Sequence, residues 1–237
     1  ILDSDDAYAP DYVEKMLARA EETDADSIVP DVEFGYGNTQ KLPNMFVQHH
    51  LSADLVINDG KKAFAMTLPW QLHGWQMIRT SLAKKYYTVQ QASYSKFNSD
   101  EYITRLLYLK SSKVALCSST YKYRVDPNSI TRKPSLKMMD YLVTNEKLLW
   151  LAQCEHLDKE VILNIYNDYY VTCRDMVQNR IPLLNKKDQI MANDLLKQSM
   201  VQFKKSFKWK NLKDAAIKTK VKFFLFLVGI HTSFIAF

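Results

Sequence analysis

A chain of 237 residues with 47% apolar and 24% charged side chains can bury a sizeable core and has the make-up of an ordinary globular protein. Five glycines, with no G-x-G-x-x-G or G-K-[ST] pattern, argue against dinucleotide-binding dehydrogenases and P-loop enzymes. The net charge of +6 is unevenly placed, because residues 201–237 hold eight lysines against one acid, Asp214, so that this tail alone carries +7 and the body is near neutral.

In chain order, Ile1–Asp3 reads as a strand end, and Pro10 suits the first position of a helix whose apolar side is Val13, Met16, Leu17 and Ala20. Asp24 to Asp26 close that helix, and Ser27–Pro30 reads as the next strand. Residues 34–48 are a loop, 49–68 irregular or short helix, and Trp70–Ile78 a buried strand or turn. A helix over Arg79–Lys85 turns Leu82 inward, and a second over Asp100–Leu109 buries Ile103, Leu106 and Leu107. Lys113–Cys117 and Tyr121–Arg124 read as two further strands. After Pro127 the pattern becomes purely helical, with long amphipathic helices over Ser135–Gln153, Leu157–Asn179 and Lys187–Phe203. The second carries Val161, Ile165, Tyr169 and Thr172–Cys173 on one stripe. A domain boundary is expected near Lys133, with an α/β region over 1–133 and an all-helical extension over 134–237.

Cys117, Cys154 and Cys173 are far apart, odd in number and form no C-x-x-C, which argues against a zinc ribbon or redox motif. Reduced, mostly buried thiols in a cytosolic setting, without a secretory signal, are expected. His49, His50 and His73 lack metal-ligand spacing and read as satisfied surface residues.

The densest chemistry is Asp3-Ser4-Asp5-Asp6. Three carboxylates in four positions repel one another, and a divalent cation with a preference for hard oxygen, bridging to a phosphorylated ligand, is the usual reason to keep them together. The plain alternative is that they face the positive end of the helix that follows, although one acid would suffice for that.

Leu2-Asp3-Ser4-Asp5-Asp6 with Pro10 and its helix resembles the D-x-D segment of family 2 glycosyltransferases with the GT-A fold. Phe97-Asn98-Ser99-Asp100-Glu101, opening a helix that runs to Arg105-Leu106-Leu107, is similar to their acidic acceptor-side motif. Tyr121-x-Tyr123-Arg124 followed by Asn128-Ser129-Ile130-Thr131 is similar to the Y-x-Y-R…S-I-T element of bacterial enzymes that build capsule, lipopolysaccharide or exopolysaccharide. The resemblance covers residues 1–133. It implies an α/β fold, the metal and acceptor half of a GT-A core, with the helical extension behind it. The half that precedes D-x-D in that family and holds the base and ribose has no counterpart here, so the chain reads as a fragment. The Q-x-x-R-W motif of processive synthases is absent.

The resemblance implies an inverting, metal-dependent transfer from a nucleotide-diphospho-sugar, most simply a UDP-sugar with Mn²⁺ or Mg²⁺, to a glycan or lipid-linked acceptor. Asp5 would be the direct metal ligand, Asp3 would act through ribose or a metal-bound water, and Asp6 would be a third candidate. Asp100 or Glu101 would be the general base, the register being open by one residue because the family often has E-D where this chain has Ser-Asp-Glu. Arg124 would reach the diphosphate or an acidic acceptor, and Ser129, also a candidate on the acceptor side, and Thr131 would touch phosphate or shape the turn after Pro127. Trp70, His73 and Trp75 would line the acceptor side, where indole faces stack on sugar C–H surfaces. The same residue types have structural readings: Asp100 as a helix cap, Arg124 as a solvated cation, the tryptophans as core.

Two rivals remain. A haloacid-dehalogenase phosphatase also begins from a strand ending in D-x-D, but it expects Gly-Thr where this chain has Asp6-Ala7. A non-catalytic membrane-peripheral scaffold would use only the tail. That tail combines its lysines with Phe203, Phe207 and Trp209, then runs into Val221–Phe237, which is interrupted by Gly229, His231, Thr232 and Ser233 and falls short of the roughly 20 apolar residues of a span. It suits an anionic membrane surface rather than nucleic acid, with packing on its own domain or on a partner subunit as the alternative, and homo-oligomerisation stays open. The expected location is cytoplasmic, peripheral on the inner face of the plasma membrane.

Overall fold

The computed structural model describes residues 2, 5–35, 43–68, 70–125 and 133–229. The chain divides into two compact units, Ile1–Ser129 and Ile130–Phe237.

The first unit is mixed α/β. Strand β1 (Ala7–Tyr8) leads through Pro10 into helix α1 (Tyr12–Thr23), and β2 (Ser27–Phe34) follows. Short elements come next: α2 (Met45–Gln48), β3 (Val56–Ile57), α3 (Gly60–Met66), β4 (Met77–Ile78), α4 (Thr80–Tyr86) and α5 (Val89–Ala92). Helix α6 (Ser99–Lys110) and strand β5 (Val114–Tyr123) complete the unit. The sheet order is β1-β5-β2-β4, with β3 also on β5. Only β2 and β5 run parallel; β1 and β3 pair with β5, and β4 with β2, in antiparallel fashion.

The parallel pair is the core because it is covered on both faces, so its side chains alternate between two apolar layers. Ile28, Val32, Ala115, Cys117 and Tyr121 face Tyr12 and Met16 of α1. Val29, Val114 and Leu116 face Phe46, Ala63, Leu72 and Tyr108. Register shifts between Pro30 and Asp31, whose partners are Cys117 and Thr120. Proline cannot donate to a ladder, and such an irregularity is where an inner strand tolerates it.

Several local expectations change. Helix α1 starts at Tyr12 with Asp11 as its cap, not at Pro10, and it ends at Asp24, whose φ of 48° is left-handed. Its buried side is Tyr12 and Met16, while Val13 and Leu17 are about half exposed. The face turned to the sheet also carries Arg19, whose Nε and Nη2 donate to the carbonyls of Leu116 (2.9 Å) and Asp54 (2.8 Å), so a cation stands where an apolar stripe was expected. The segments 113–117 and 121–124 are parts of one strand, β5, with the register shift between them. Leu82 is only partly buried. Ile1 and Asp3 lie outside the described residues.

The second unit is helical: a 3-10 turn (Leu136–Met139), α7 (Asp140–Cys154), α8 (Lys159–Asp175), α9 (Lys186–Ser206), a 3-10 turn (Trp209–Leu212) and α10 (Ile217–Leu227). Helix α8 buries Val161, Ile165, Tyr169 and Cys173 on its expected stripe. The core is strongly aromatic. Tyr169 stacks on Phe203 at 4.1 Å, Tyr166 on Phe207 at 4.5 Å, and Phe223 and Phe226 of α10 pack edge-on against Tyr166, Tyr169 and Tyr170. The phenol of Tyr166 accepts from the backbone N–H of Lys208 and from Asn211, which ties the chain after α9 to α8. Among the described residues no helix is long and apolar enough to cross a membrane. Cys117 and Cys173 are buried, whereas Cys154 is exposed.

Candidate functional site

Three segments that are distant in sequence meet around the loop 70–76 of the first unit. The first meeting is between the acidic segment and the end of β5. The Tyr121 phenol donates to Asp6 Oδ2 at 2.6 Å, and the Arg124 backbone N–H donates to Asp6 Oδ1 at 2.8 Å. One carboxylate therefore fixes both the strand and the residue beyond its end. Each oxygen of Asp6, a candidate metal ligand, accepts one hydrogen bond from the fold and keeps a further lone pair.

Asp5, next to this clamp, is exposed, and among the described residues its carboxylate accepts no hydrogen bond. The Arg124 side chain is exposed too, on a backbone that Asp6 holds in place. Asp3 and Ser129 lie outside the described residues. An exposed carboxylate of hard oxygens suits Mg²⁺ or Mn²⁺, so the chemistry of Asp5 fits the cation the acidic segment suggests. Among the described residues there is no group of three acidic, histidine or cysteine side chains that could hold a metal by itself.

The second meeting is aromatic. Tyr8 stacks on Tyr12 at 4.0 Å and meets Tyr121 edge-on at 5.7 Å. Trp75 lies 5.2 Å from Tyr121 and 5.1 Å from Tyr123, with Phe34 edge-on to both Trp75 and Tyr123. Phe34, Tyr121 and Tyr123 lie at the C-terminal ends of the two parallel strands, the end at which open α/β sheets bind ligands. Trp75 is half-buried.

His73 supports Trp75 from beneath. It is fully buried, its Nε2 donates to the Pro30 carbonyl at 2.8 Å, and its Nδ1 accepts the Trp75 backbone N–H at 3.2 Å. This corrects both expectations for His73: it is not a surface residue, and with both nitrogens used inside the protein it does not reach an acceptor. Burial lowers its pKa to about 4, so the ring is neutral.

The third meeting joins the loop to α6. The Tyr108 phenol donates to the His73 carbonyl at 2.7 Å, and a Cβ on Gly74 would sit 2.9 Å from Thr104 Oγ1. The Arg105 guanidinium lies over the Trp70 ring at 4.9 Å and pairs with Glu101 one turn earlier. Trp70 has φ 24°, a conformation bulky side chains rarely adopt. This stacking and a turn bond from its N–H to the Thr67 carbonyl help hold it there.

The two acids that open α6 are thus unlike. Glu101 is engaged by Arg105. Asp100 is open to solvent, and its carboxyl is pushed above the ordinary range, first by the protein that displaces water around it and then by the charge of Glu101. An accessible acid with a raised pKa has the properties of a proton acceptor.

Arg105 was not anticipated as a site residue, although Glu101 and Arg105 are spaced i,i+4 with the acid first, which is the signature of such a pair. Tyr8, Tyr12 and Tyr121 do not stand out as a group in the sequence, because Tyr8 lies in a strand and Tyr12 opens the next helix, so their four-residue spacing is not that of one helix face. No protein-family model matches the chain, and no curated protein matches it.

Proposed function

We propose that this chain is the metal- and acceptor-binding part of an inverting glycosyltransferase with a GT-A core, resembling family 2, which moves a sugar from a nucleotide-diphospho-sugar to a glycan or lipid-linked acceptor of a bacterial surface polysaccharide. The observation that carries the reading is the Asp6 clamp on Tyr121 and Arg124. It brings the acidic segment and the Y-x-Y-R segment together across 115 residues of sequence, as a shared diphosphate site requires.

In this reading Asp5, with Asp3, would hold a divalent cation, and the chemistry such a cation would supply is neutralisation of charge on the leaving nucleoside diphosphate. Arg124 adds a cationic fork beside the same phosphates. Half-buried Trp75 would contact the sugar ring of the acceptor. Asp100 takes the proton from the attacking acceptor hydroxyl as the new glycosidic oxygen–carbon bond forms and the bond to the diphosphate breaks. With attack opposite the leaving group in one displacement, the anomeric centre inverts. Glu101, neutralised by Arg105, positions the first turn of α6 instead.

The test is calorimetric titration of UDP and UDP-sugars into the chain with and without Mn²⁺, beside D5A and D100N. The expected result is binding that depends on metal, is lost in D5A and is kept in D100N. Binding that ignores the metal, or that survives D5A unchanged, would overturn the reading.

A further inference from the structure

Helix α10 has two apolar faces. One, Phe223 and Phe226, is buried among the aromatic residues of α8 and α9. The other consists of Ile217, Val221, Phe224 and Val228, with exposures of 79, 48, 54 and 53%. At about 100° per residue these four fall within roughly 60° of one another, opposite the buried face. Among the described residues these four side chains lie outside the core of their unit.

The border of the stripe is basic. Exposed Lys218 flanks it on one side; Lys220, half-buried on the other, donates its amine to the Lys213 carbonyl at 2.8 Å; and Lys208, Lys210 and Lys213 are exposed in the turn that leads into the helix, next to half-exposed Trp209. Lys222 is not part of this border. Its amine donates to Asn167 Oδ1 at 2.6 Å and lies over the Tyr170 and Phe223 rings, on the inward side. The local acid, Asp214, is 3.4 Å from Lys159.

Charge selects the occupant. A second copy would bring a like-charged lysine border against this one. A nucleic acid would satisfy the lysines but leave the apolar stripe in water. An anionic bilayer surface satisfies both, with headgroups for the ammonium groups and acyl chains for the stripe, while lysine stems bury their methylenes at the boundary. We infer that the outer face of α10 seats in the plane of an anionic lipid surface, with Ile217, Val221, Phe224 and Val228 inserted and Lys218 and Lys213 at the headgroups. The inference uses no residue of the candidate sugar-transfer site and stands apart from that reading.

The experiment is co-sedimentation of the chain with phosphatidylcholine vesicles with and without phosphatidylglycerol. The variants are V221E/F224E, K218E/K213E, and V171E as a control on an exposed position of α8 outside the stripe. Circular dichroism and urea unfolding establish that each variant folds. Wild type and V171E are expected to bind the anionic vesicles about tenfold better than the neutral ones, with binding weakened by salt. V221E/F224E is expected to lose that binding and K218E/K213E to reduce it. Equal binding by V221E/F224E and V171E would overturn the inference, as would absence of any preference for phosphatidylglycerol. A wild-type dimer in light scattering that V221E/F224E dissociates, without vesicle binding, would overturn it in favour of self-association. If V221E/F224E does not fold, the K218E/K213E result and the lipid preference of wild type decide the matter by the same criteria.

Discussion

The phenol of Tyr121 donates to Asp6 across 115 residues of sequence at 2.6 Å, and the other oxygen of the same carboxylate receives the backbone N–H of Arg124. Asp6 follows Asp5 in the chain, and Tyr121 carries the indole of Trp75 on its ring. A single side chain therefore joins the acidic segment, the end of β5 and the aromatic floor beside it.

Removing half of this clamp should be measurable. Tyr121→Phe keeps the ring stacking and deletes one hydrogen bond to a charged acceptor, so a loss of about 1–3 kcal/mol is expected in urea unfolding. Asp6→Ala leaves both donors without the acceptor and should cost more, and under the proposed function it should also weaken metal-dependent donor binding. A Tyr121→Phe protein as stable as wild type would show that the contact contributes little.

His73 predicts a pH dependence. Its folded pKa, about 4, lies below the unfolded value near 6.5, so between those values the unfolded chain binds the extra proton. The stability of the neutral ring is therefore fully present above about pH 6.5 and is lost as pH falls toward 4, by up to about 3 kcal/mol from this residue alone. Urea midpoints measured across that window should fall, and the fall should be shallower in His73→Gln, where no group titrates. Parallel curves for the two proteins would show that other groups control the acid response.

The two acids of α6 should separate in kinetics. With a nucleotide-sugar donor, Asp100→Asn is expected to reduce kcat by about 10²–10⁴-fold, the usual contribution of a general base. Glu101→Gln should act mainly through Arg105 and reduce activity far less. Because the Asp100 carboxyl is raised, the acidic limb of the rate profile should lie above the ordinary carboxylate range. The reverse order of the two variants would assign the proton transfer to Glu101.

Gly60 should not tolerate a side chain. A Cβ there would lie 2.5 Å from the carbonyl oxygens of both Leu109 and Ser111 and 2.8 Å from that of Tyr108. These are backbone atoms at the end of α6 that cannot swing aside. Gly60→Ala should cost about 1–3 kcal/mol in unfolding experiments, the scale of overpacked cores. No loss would mean that α3 shifts freely against α6.

Much of the architecture was legible from local pattern. The stripe of Val161, Ile165, Tyr169 and Cys173 repeats at the helical period and is buried as read, and Ile103, Leu106 and Leu107 face the core. Segments whose burial is decided by a distant partner were not legible. Val13 and Leu17 look like core residues on a helical wheel, yet that side of α1 faces water because Tyr12, Met16 and Arg19 are turned to the sheet. Strand β5 read as two strands because Ser118, Ser119 and Thr120 break the apolar run. The ladder with β2 continues past that break through a register shift opposite Pro30 and Asp31.

Sequence alone determined the residue types and their order: the acids 3–6, the acids 100–101, Tyr121-x-Tyr123-Arg124 and the basic tail all follow from composition and spacing. Tertiary structure alone decided which atom each one meets. Asp6 became a clamp because β1 pairs with the end of β5, and His73 became a buried neutral support because its loop passes between Pro30 and Tyr108. The apolar residues of α10 were divided into a buried and an exposed set by where α8 and α9 lie. The physical reason is that periodicity and charge are properties of neighbours in the chain. Burial, the pKa values that follow from it and the partner of a carboxylate depend on groups that only folding brings near.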